Sequence, residues 1–390
     1  MDKTTLPPFL MTSDVGSFAQ RTIKERLPII LEQVISTNIY PPKIHKGLQM
    51  FKKELNHGQV QPLSEITEDR LVWERDLQAW LGKRWDQLPW LLAEAYFYRR
   101  ILEITHYFQP GPWMGVNPFE ALKAQEIQDG MTVFEDLYHE MIIDDSSECF
   151  IDHLIKALWG NRGDLSLLGT LDSDMHTQSH RIILDHSLPA YRYLSTHRPA
   201  NIAIFLDNVG KELFFDLALM SYLFETGLAG KVTCFVKPQP FFISDVMPKD
   251  LYNSIDLLAA TQSPEVQELS ERLTKYTKAG RLKVAAPPFL TLGREFHEMP
   301  DDLYTQLEQH DLTILKGDLN YRRLMRDRHW PPTTPVGVAG GYFPTSFLSL
   351  RTLKSELIVG LTDEELENVK SEGDPDWLTN GKRGIITFCQ

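Results

Sequence analysis

Cysteine is scarce in this chain. Cys149, Cys234 and Cys389 are the three among 390 residues, an odd number at wide spacing. Neither a disulfide framework nor a zinc pattern follows, and a reducing compartment is the expectation. The 12 histidines likewise show no metal-ligand spacing. Positive charge is short as well: 40 Lys and Arg face 53 Asp and Glu, a formal net charge of -13. That disfavours non-specific nucleic-acid binding, which depends on cations neutralising phosphates. It leaves room for a small anionic substrate in a local basic pocket. No apolar run reaches the roughly 18 residues of a membrane span. Met1 to Phe18 lacks the basic-then-apolar order of a signal peptide, so a soluble cytoplasmic protein with no membrane partner is expected. Three signatures are also missing. There is no Gly-x-x-x-x-Gly-Lys-Ser/Thr phosphate loop, Gly210 stands alone where a dinucleotide fingerprint needs several glycines, and no Gly-x-Ser-x-Gly elbow occurs.

What is present is an ordinary globular mixture, 42% hydrophobic and 24% charged. The length suits two domains or one elaborated domain. The first part reads as helical. Thr22 to Ile35 carries Ile23, Leu27, Ile30, Leu31 and Val34 at helical spacing, with Pro28 tolerable in a first turn. Trp90 to Tyr107, Phe119 to Gln128, Val133 to Ile142 and a stretch from about Phe150 to Trp159 follow the same period, and Gly160 to Asp164 is a turn-rich break. After Pro199 the rhythm changes. Strand-length apolar runs at Ile202–Leu206, Lys231–Val236, Leu282–Ala285, Leu312–Leu315 and Leu357–Val359 alternate with helical stretches. This predicts an α/β fold with a mainly parallel sheet and helices on both faces. We expect a helical N-terminal subdomain over residues 1–150 and the α/β domain over 151–390.

Chemistry concentrates where strands end. Ile202 to Leu206 runs straight into Asp207 and Asn208, and a helix is predicted from Glu212 to Thr226. Ligands bind outside the carboxyl ends of strands in open α/β sheets, and Asp and Asn supply the hard oxygens that suit magnesium, manganese and similar cations. A plainer role is open to both, since Asp and Asn also cap helices. Asp245 closes the short run after Lys237-Pro238-Gln239-Pro240; it can complete a metal site or cap the helix near Pro248. Lys316-Gly317-Asp318-Leu319-Asn320-Tyr321-Arg322-Arg323 follows another strand. Gly317 permits a tight turn with backbone near a ligand. Lys316, Asn320 and the Arg pair can hold phosphate oxygens, and Asp318 can ligate or move a proton. Lys354, in Arg351-Thr352-Leu353-Lys354, can anchor a phosphate, although taken alone it reads more simply as a solvated surface lysine.

Taken in this order, the segments resemble the metal-dependent damage-control phosphatase family, formerly domain of unknown function 89. The matches include Ser17-Phe18-Ala19, Lys24 to Pro28, Trp90 to Ile101, Leu158 to Asn161 and Asp164 to Ser166. The most specific are FLDNVGKE at 205–212, SDV at 244–246 and KGDLNYRRL at 316–324, and RTLK at 351–354 resembles the Arg-Thr-x-Lys signature of the third subfamily. The resemblance implies a three-layer α/β/α sandwich. It implies a divalent cation, often manganese, cobalt or nickel with magnesium possible, on Asp207, Asn208 and Asp245. It further implies that Asp207, Asn208 and Asp318 carry the catalysis. Asp318, Leu319, Asn320, Tyr321, Arg322, Lys354 and Glu212 would contact a small phosphorylated metabolite such as fructose 1-phosphate. Two rivals stand beside this: an S-adenosylmethionine-dependent protein carboxyl methyltransferase, an assignment attached to some relatives, and a non-catalytic relative that kept the fold.

Overall fold

The computed structural model describes residues 6–160 and 181–390. The expected break beyond Gly160 and the Asp164 to Ser166 match lie outside the described residues. A single seven-stranded sheet organises the molecule, in the order β1-β7-β6-β5-β2-β3-β4. The strands are β1 (Ile182–Asp185), β2 (Ala200–Phe205), β3 (Ala229–Phe235), β4 (Leu282–Ala285), β5 (Leu312–Lys316), β6 (Ser346–Thr352) and β7 (Gly384–Cys389). From β6 to β4 all neighbours are parallel, whereas β7 runs antiparallel to β6 and pairs with β1 in parallel.

The sheet is buried on both faces, and its period of two divides the strand residues between two cores. Ile202 and Ile204 of β2, Ile314 of β5 and Leu348 of β6 enter one core. Ala203 and Phe205 of β2, Leu315 of β5 and Phe347 of β6 enter the other. Helix Lys211–Glu225 fills the first core so completely that every residue from Glu212 to Phe224 is buried. It is an inner helix buried on every side, with Glu212 and Asp216 as buried acids paired with Lys316, and not an amphipathic one. The expected three-layer α/β fold is therefore found.

Several local expectations need correcting. Leu357–Val359 is not a strand. It is buried irregular chain whose backbone is satisfied by side chains: Arg351 donates to the Leu357 carbonyl, and the Val359 N–H donates to Tyr321 Oη at 3.1 Å. The strand of this region is Ser346–Thr352, so Arg351-Thr352-Leu353-Lys354 closes a strand instead of preceding one. Its alternation with Ser346 and Ser349 concealed it, as shortness concealed β1.

The two helical patterns from Phe119 to Ile142 are one helix, Glu120–Tyr138, continuous through Gly130. A Cβ on Gly130 would lie 2.3 Å from the Lys211 nitrogen. Glycine is kept there at a helix cost of about 1 kcal/mol because two backbones meet. Thr22–Arg26 forms a π-helical turn that runs into the α-helix Leu27–Thr37, and Pro28 sits in the first turn of the latter. Packing groups residues 23–119 into a third core, while Glu120–Tyr138 and Ser147–Trp159 join the sheet through Phe134, Phe150 and Trp159.

Candidate functional site

The strand order reverses at β2. Its sequence successor β3 lies on one side and β5 on the other. A crevice opens at the carboxyl edge of such a switch point, because the chains leaving the two strands diverge to opposite sides. A cavity of about 800 Å³ occupies this edge. Its floor comes from the ends of four neighbouring parallel strands: Asp207 and Asn208 after β2, Asp245 after β3, Asp318 after β5 and Lys354 after β6. Glu212, Leu319 and Arg322 line it as well.

The metal-ligand candidates are held as one unit. Asn208 and Asp245 form an isolated antiparallel bridge. The Val246 N–H donates to the Asp207 carbonyl and the Val209 N–H to the Ser244 carbonyl, each at 2.8 Å. Asn208 Nδ2 donates to Asp207 Oδ2 at 2.9 Å and to Glu212 Oε2 at 3.0 Å, while Ser244 Oγ donates to Asn208 Oδ1 at 2.8 Å. The capping roles allowed by the sequence are thereby set aside: Gly210 occupies the N-cap of helix Lys211–Glu225, and Met247 that of helix Pro248–Ala259. The Asp245 loop carries local strain, with Phe242 at φ 41° and Ile243 at φ 66° in the left-handed region. For a β-branched residue this costs about 1–2 kcal/mol, a cost typical of chain held for function.

The electrostatics call for a cation. Burial pushes the Asp207 carboxyl well above its ordinary value, and the nearby carboxylates of Glu212 and Asp245 push it further, against Lys237 and Lys354. Burial also raises Asp245, although Lys237 Nζ stands 3.2 Å from its Oδ2. That Oδ2 is buried and lacks a hydrogen bond. A Cβ on Gly317 would sit 1.9 Å from Asp207 Oδ2, so the glycine, at φ +82°, leaves the berth the carboxylate occupies. Crowded, desolvated oxygen donors around the berth that Gly317 leaves fit a hard divalent ion.

The KGDLNYRRL segment is a helix, Gly317–Leu324, and its parts separate. Asp318 and Leu319 face the cavity. Burial tends to raise Asp318, but the Arg351 and Arg322 guanidiniums outweigh it and hold the carboxyl below its usual value. Arg351 Nε is 2.7 Å from Asp318 Oδ1, and Ser355 Oγ donates to the same atom at 3.0 Å. An ionised acceptor suits a substrate hydroxyl better than it suits proton transfer near neutrality.

Asn320 and Tyr321 do not reach the cavity. Asn320 Nδ2 donates to the Lys316 carbonyl at 2.8 Å, and Tyr321 lies in the core beneath Arg351. Arg322 lines the cavity but is already committed, 2.6 Å from Glu94 Oε2 and 2.7 Å from Asp327 Oδ1. Arg322 and Arg323 fall in the last turn, where they complement the helix dipole, and not at a helix start. Lys354 keeps no ion pair among the described residues and, with Lys237, acts on the Asp207 carboxyl as a nearby cation.

The residues of this cavity were in part invisible as residues. Lys237 backs the cavity without lining it, 3.2 Å from Asp245 Oδ2, and is the first hydrophilic position after β3, a signal that Pro238 overshadowed. Glu94 sits in a helix where all residues from Trp90 to Glu103 are buried, so the only hint was an acid inside an apolar pattern. Elsewhere, Glu295, His297 and Glu298 bring possible ligand atoms within 4.8 Å of one another. None of them lines the cavity, and Glu298 Oε2 accepts the Glu295 N–H at 2.9 Å as the cap of a short 3-10 turn.

The damage-control phosphatase ARMT1-like domain model matches residues 22–369. The chain belongs to this family. It is 31% identical over 438 residues to the damage-control phosphatase ARMT1 of Danio rerio, covering 98% of this chain and 97% of that protein. It is 31% identical over 441 residues to the damage-control phosphatase ARMT1 of Homo sapiens, covering 98% of both. A DUF89 family protein from Pyrococcus horikoshii superposes with a TM-score of 0.53 at 13% identity, over 94% of this chain and 96% of that one. Its likeness shows the fold. The family match takes in the strand ends, Asp207 to Lys354, around which the cavity is built.

Proposed function

We propose that the cavity is the active site of a divalent-metal-dependent phosphomonoesterase acting on small phosphorylated metabolites, sugar phosphates such as fructose 1-phosphate among them. One observation carries the reading. The adjacent Asp207 and Asn208 meet the sequence-remote Asp245 as a hydrogen-bonded unit at the sheet switch point, with Lys354 also lining the cavity and free of ion pairs among the described residues. The relatives' names, damage-control phosphatase, agree with it.

Asp207, Asn208 and Asp245 would hold the ion, which when bound supplies positive charge to a phosphoryl oxygen. The rest falls to the chain. Lys354 neutralises the phosphoryl group as a point charge, and positioning with charge stabilisation does most of the work in such transfers. Glu212 accepts from Asn208 and so fixes the orientation of its amide. Lys316 holds Glu212 from behind, 3.3 Å from its Oε1 and 2.6 Å from Asp216 Oδ1. Ionised Asp318 accepts from a hydroxyl of the bound ester and orients it. Trp90, Phe18 and Phe242 wall the cavity and limit water.

The test is hydrolysis of a generic phosphate ester by protein stripped with a chelator, with manganese, cobalt, nickel and magnesium restored in turn. Asp207→Ala is assayed alongside. Activity should vanish on chelation, return with metal and be absent from the variant. Equal rates for variant and wild type would overturn the assigned site.

A further inference from the structure

A second cavity, of about 620 Å³, adjoins the first, and Phe18, Arg26 and Ile243 line both. These three residues form a neck between the phosphoryl end of the site and a space walled by Ile29, Thr379 and Asn380. Among the cationic side chains around the site, most are spent on carboxylates. Arg322 binds Glu94 and Asp327, Lys237 binds Asp245, Lys123 binds Asp250 and Lys316 binds Asp216. Arg26 is exposed and has no ion pair or hydrogen bond among the described residues. Its charge is felt at Glu94, which the guanidinium of Arg322 already satisfies.

The backbone that presents Arg26 is unusual. It ends the π-helical turn Thr22–Arg26, in which the Leu27 N–H reaches back to the Thr22 carbonyl. Single π-turns are uncommon and concentrate at functional sites, because the wide turn re-aims the residues that follow. The segment is also tied to the Lys354 loop: the Phe18 N–H donates to the Glu356 carboxylate. Phe18 itself packs edge-on to Trp90, with ring centroids 5.8 Å apart. The segment that carries Arg26 is thus braced against the Lys354 loop, and Arg26 lines both cavities.

We infer that Arg26 is a specificity-determining residue, and that the neck with the cavity beyond it is the subsite for the alcohol portion of the phosphate ester. This rests on the phosphomonoesterase reading. Arginine offers five N–H donors and no acceptor, so it selects leaving alcohols rich in acceptor oxygens, of which polyhydroxylated ones are the class. Phe18 and Ile243 supply an apolar wall for the carbon skeleton. A wholly hydrocarbon alcohol gains nothing from the guanidinium.

The experiment compares kcat/KM for fructose 1-phosphate and for phenyl phosphate, whose leaving group carries no further acceptor oxygen. Wild type, Arg26→Leu and Arg26→Lys are assayed with the same metal. The ratio of sugar ester to phenyl ester should fall about tenfold or more in Arg26→Leu, the size expected of a lost charged hydrogen bond. The fall should come chiefly through KM, with partial recovery in Arg26→Lys. A ratio equal to that of wild type, whether both activities drop together or neither does, would overturn the assignment. Failure of the wild type, metal supplied, to hydrolyse either ester would instead strike the phosphomonoesterase reading, so the two failures are distinct.

Discussion

At the scale of single residues, Gly317 and Asp207 are a matched pair. The glycine was legible in the sequence as a turn residue near a ligand. What it faces, the carboxylate of a residue 110 positions earlier, was not, because nothing local records which strand lies beside β5. A methyl group at 317 would meet Asp207 Oδ2 at 1.9 Å on a backbone at φ +82°. We expect Gly317→Ala to lower stability by about 2 kcal/mol or more from overpacking and left-handed strain. It should lower kcat/KM by about a hundredfold through the displaced carboxylate. Urea unfolding and initial rates measure the two effects. A variant with wild-type midpoint and rate would remove the berth from the account.

Elements matter through how they brace one another. In sequence, helix Glu120–Tyr138 shows only as two segments at helical period, and nothing there marks Lys123 for a role. In the fold Lys123 is buried, its Nζ donating to the Asp245 carbonyl at 2.8 Å and to Asp250. Asp250 in turn accepts the Met247 N–H at 2.8 Å. One lysine therefore pins the metal loop to the start of the next helix. Lys123→Met leaves Asp250 buried without its counter-charge, so a loss of about 3–5 kcal/mol is expected. Lys123→Met combined with Asp250→Leu should recover much of it, as paired apolar replacements do. Thermal or urea melts of the single and double variants decide this. A double variant no more stable than the single would sink it.

For the molecule as a whole, the collected acids make stability depend jointly on pH and metal. Asp207 is raised well above its ordinary value by burial and neighbouring carboxylates, and burial, eased by Lys316 but reinforced by Glu212, puts Asp216 at about 7. A raised carboxylate binds its proton more tightly in the folded state. Its contribution is fully present below the unfolded value and is lost as pH rises through the folded one. Metal-free protein should therefore lose stability from mildly acidic toward neutral and higher pH. A bound cation takes the place of the proton, so its stabilisation grows over the same range. At a hundredfold excess over Kd it amounts to about 2.7 kcal/mol. Melting temperatures across pH, with chelator and with manganese, measure the difference. A metal increment that is constant with pH would contradict it.

The motifs at the strand ends, the alternation of strands with helices and the helix after Asn208 were readable in the linear chain, because each depends on neighbours within a few residues, whereas the burial of that helix on every side was not. Asp207 and Asn208 could be proposed that way, since oxygen ligands after an apolar run carry their chemistry with them, whereas Asp245 and Lys354 stand out as site residues only through the family resemblance. The rest came from pairing order. Strand neighbours set which ends meet, and the reversal at β2 set where the crevice opens. Contacts across the sheet turned Asn320 and Tyr321 inward and bound Arg322 to Glu94, while they left Arg26 free at the neck. Side-chain commitment is a property of three-dimensional proximity: a guanidinium is spent or free according to which carboxylate folding brings within reach, and the order of residues along the chain does not contain that distance.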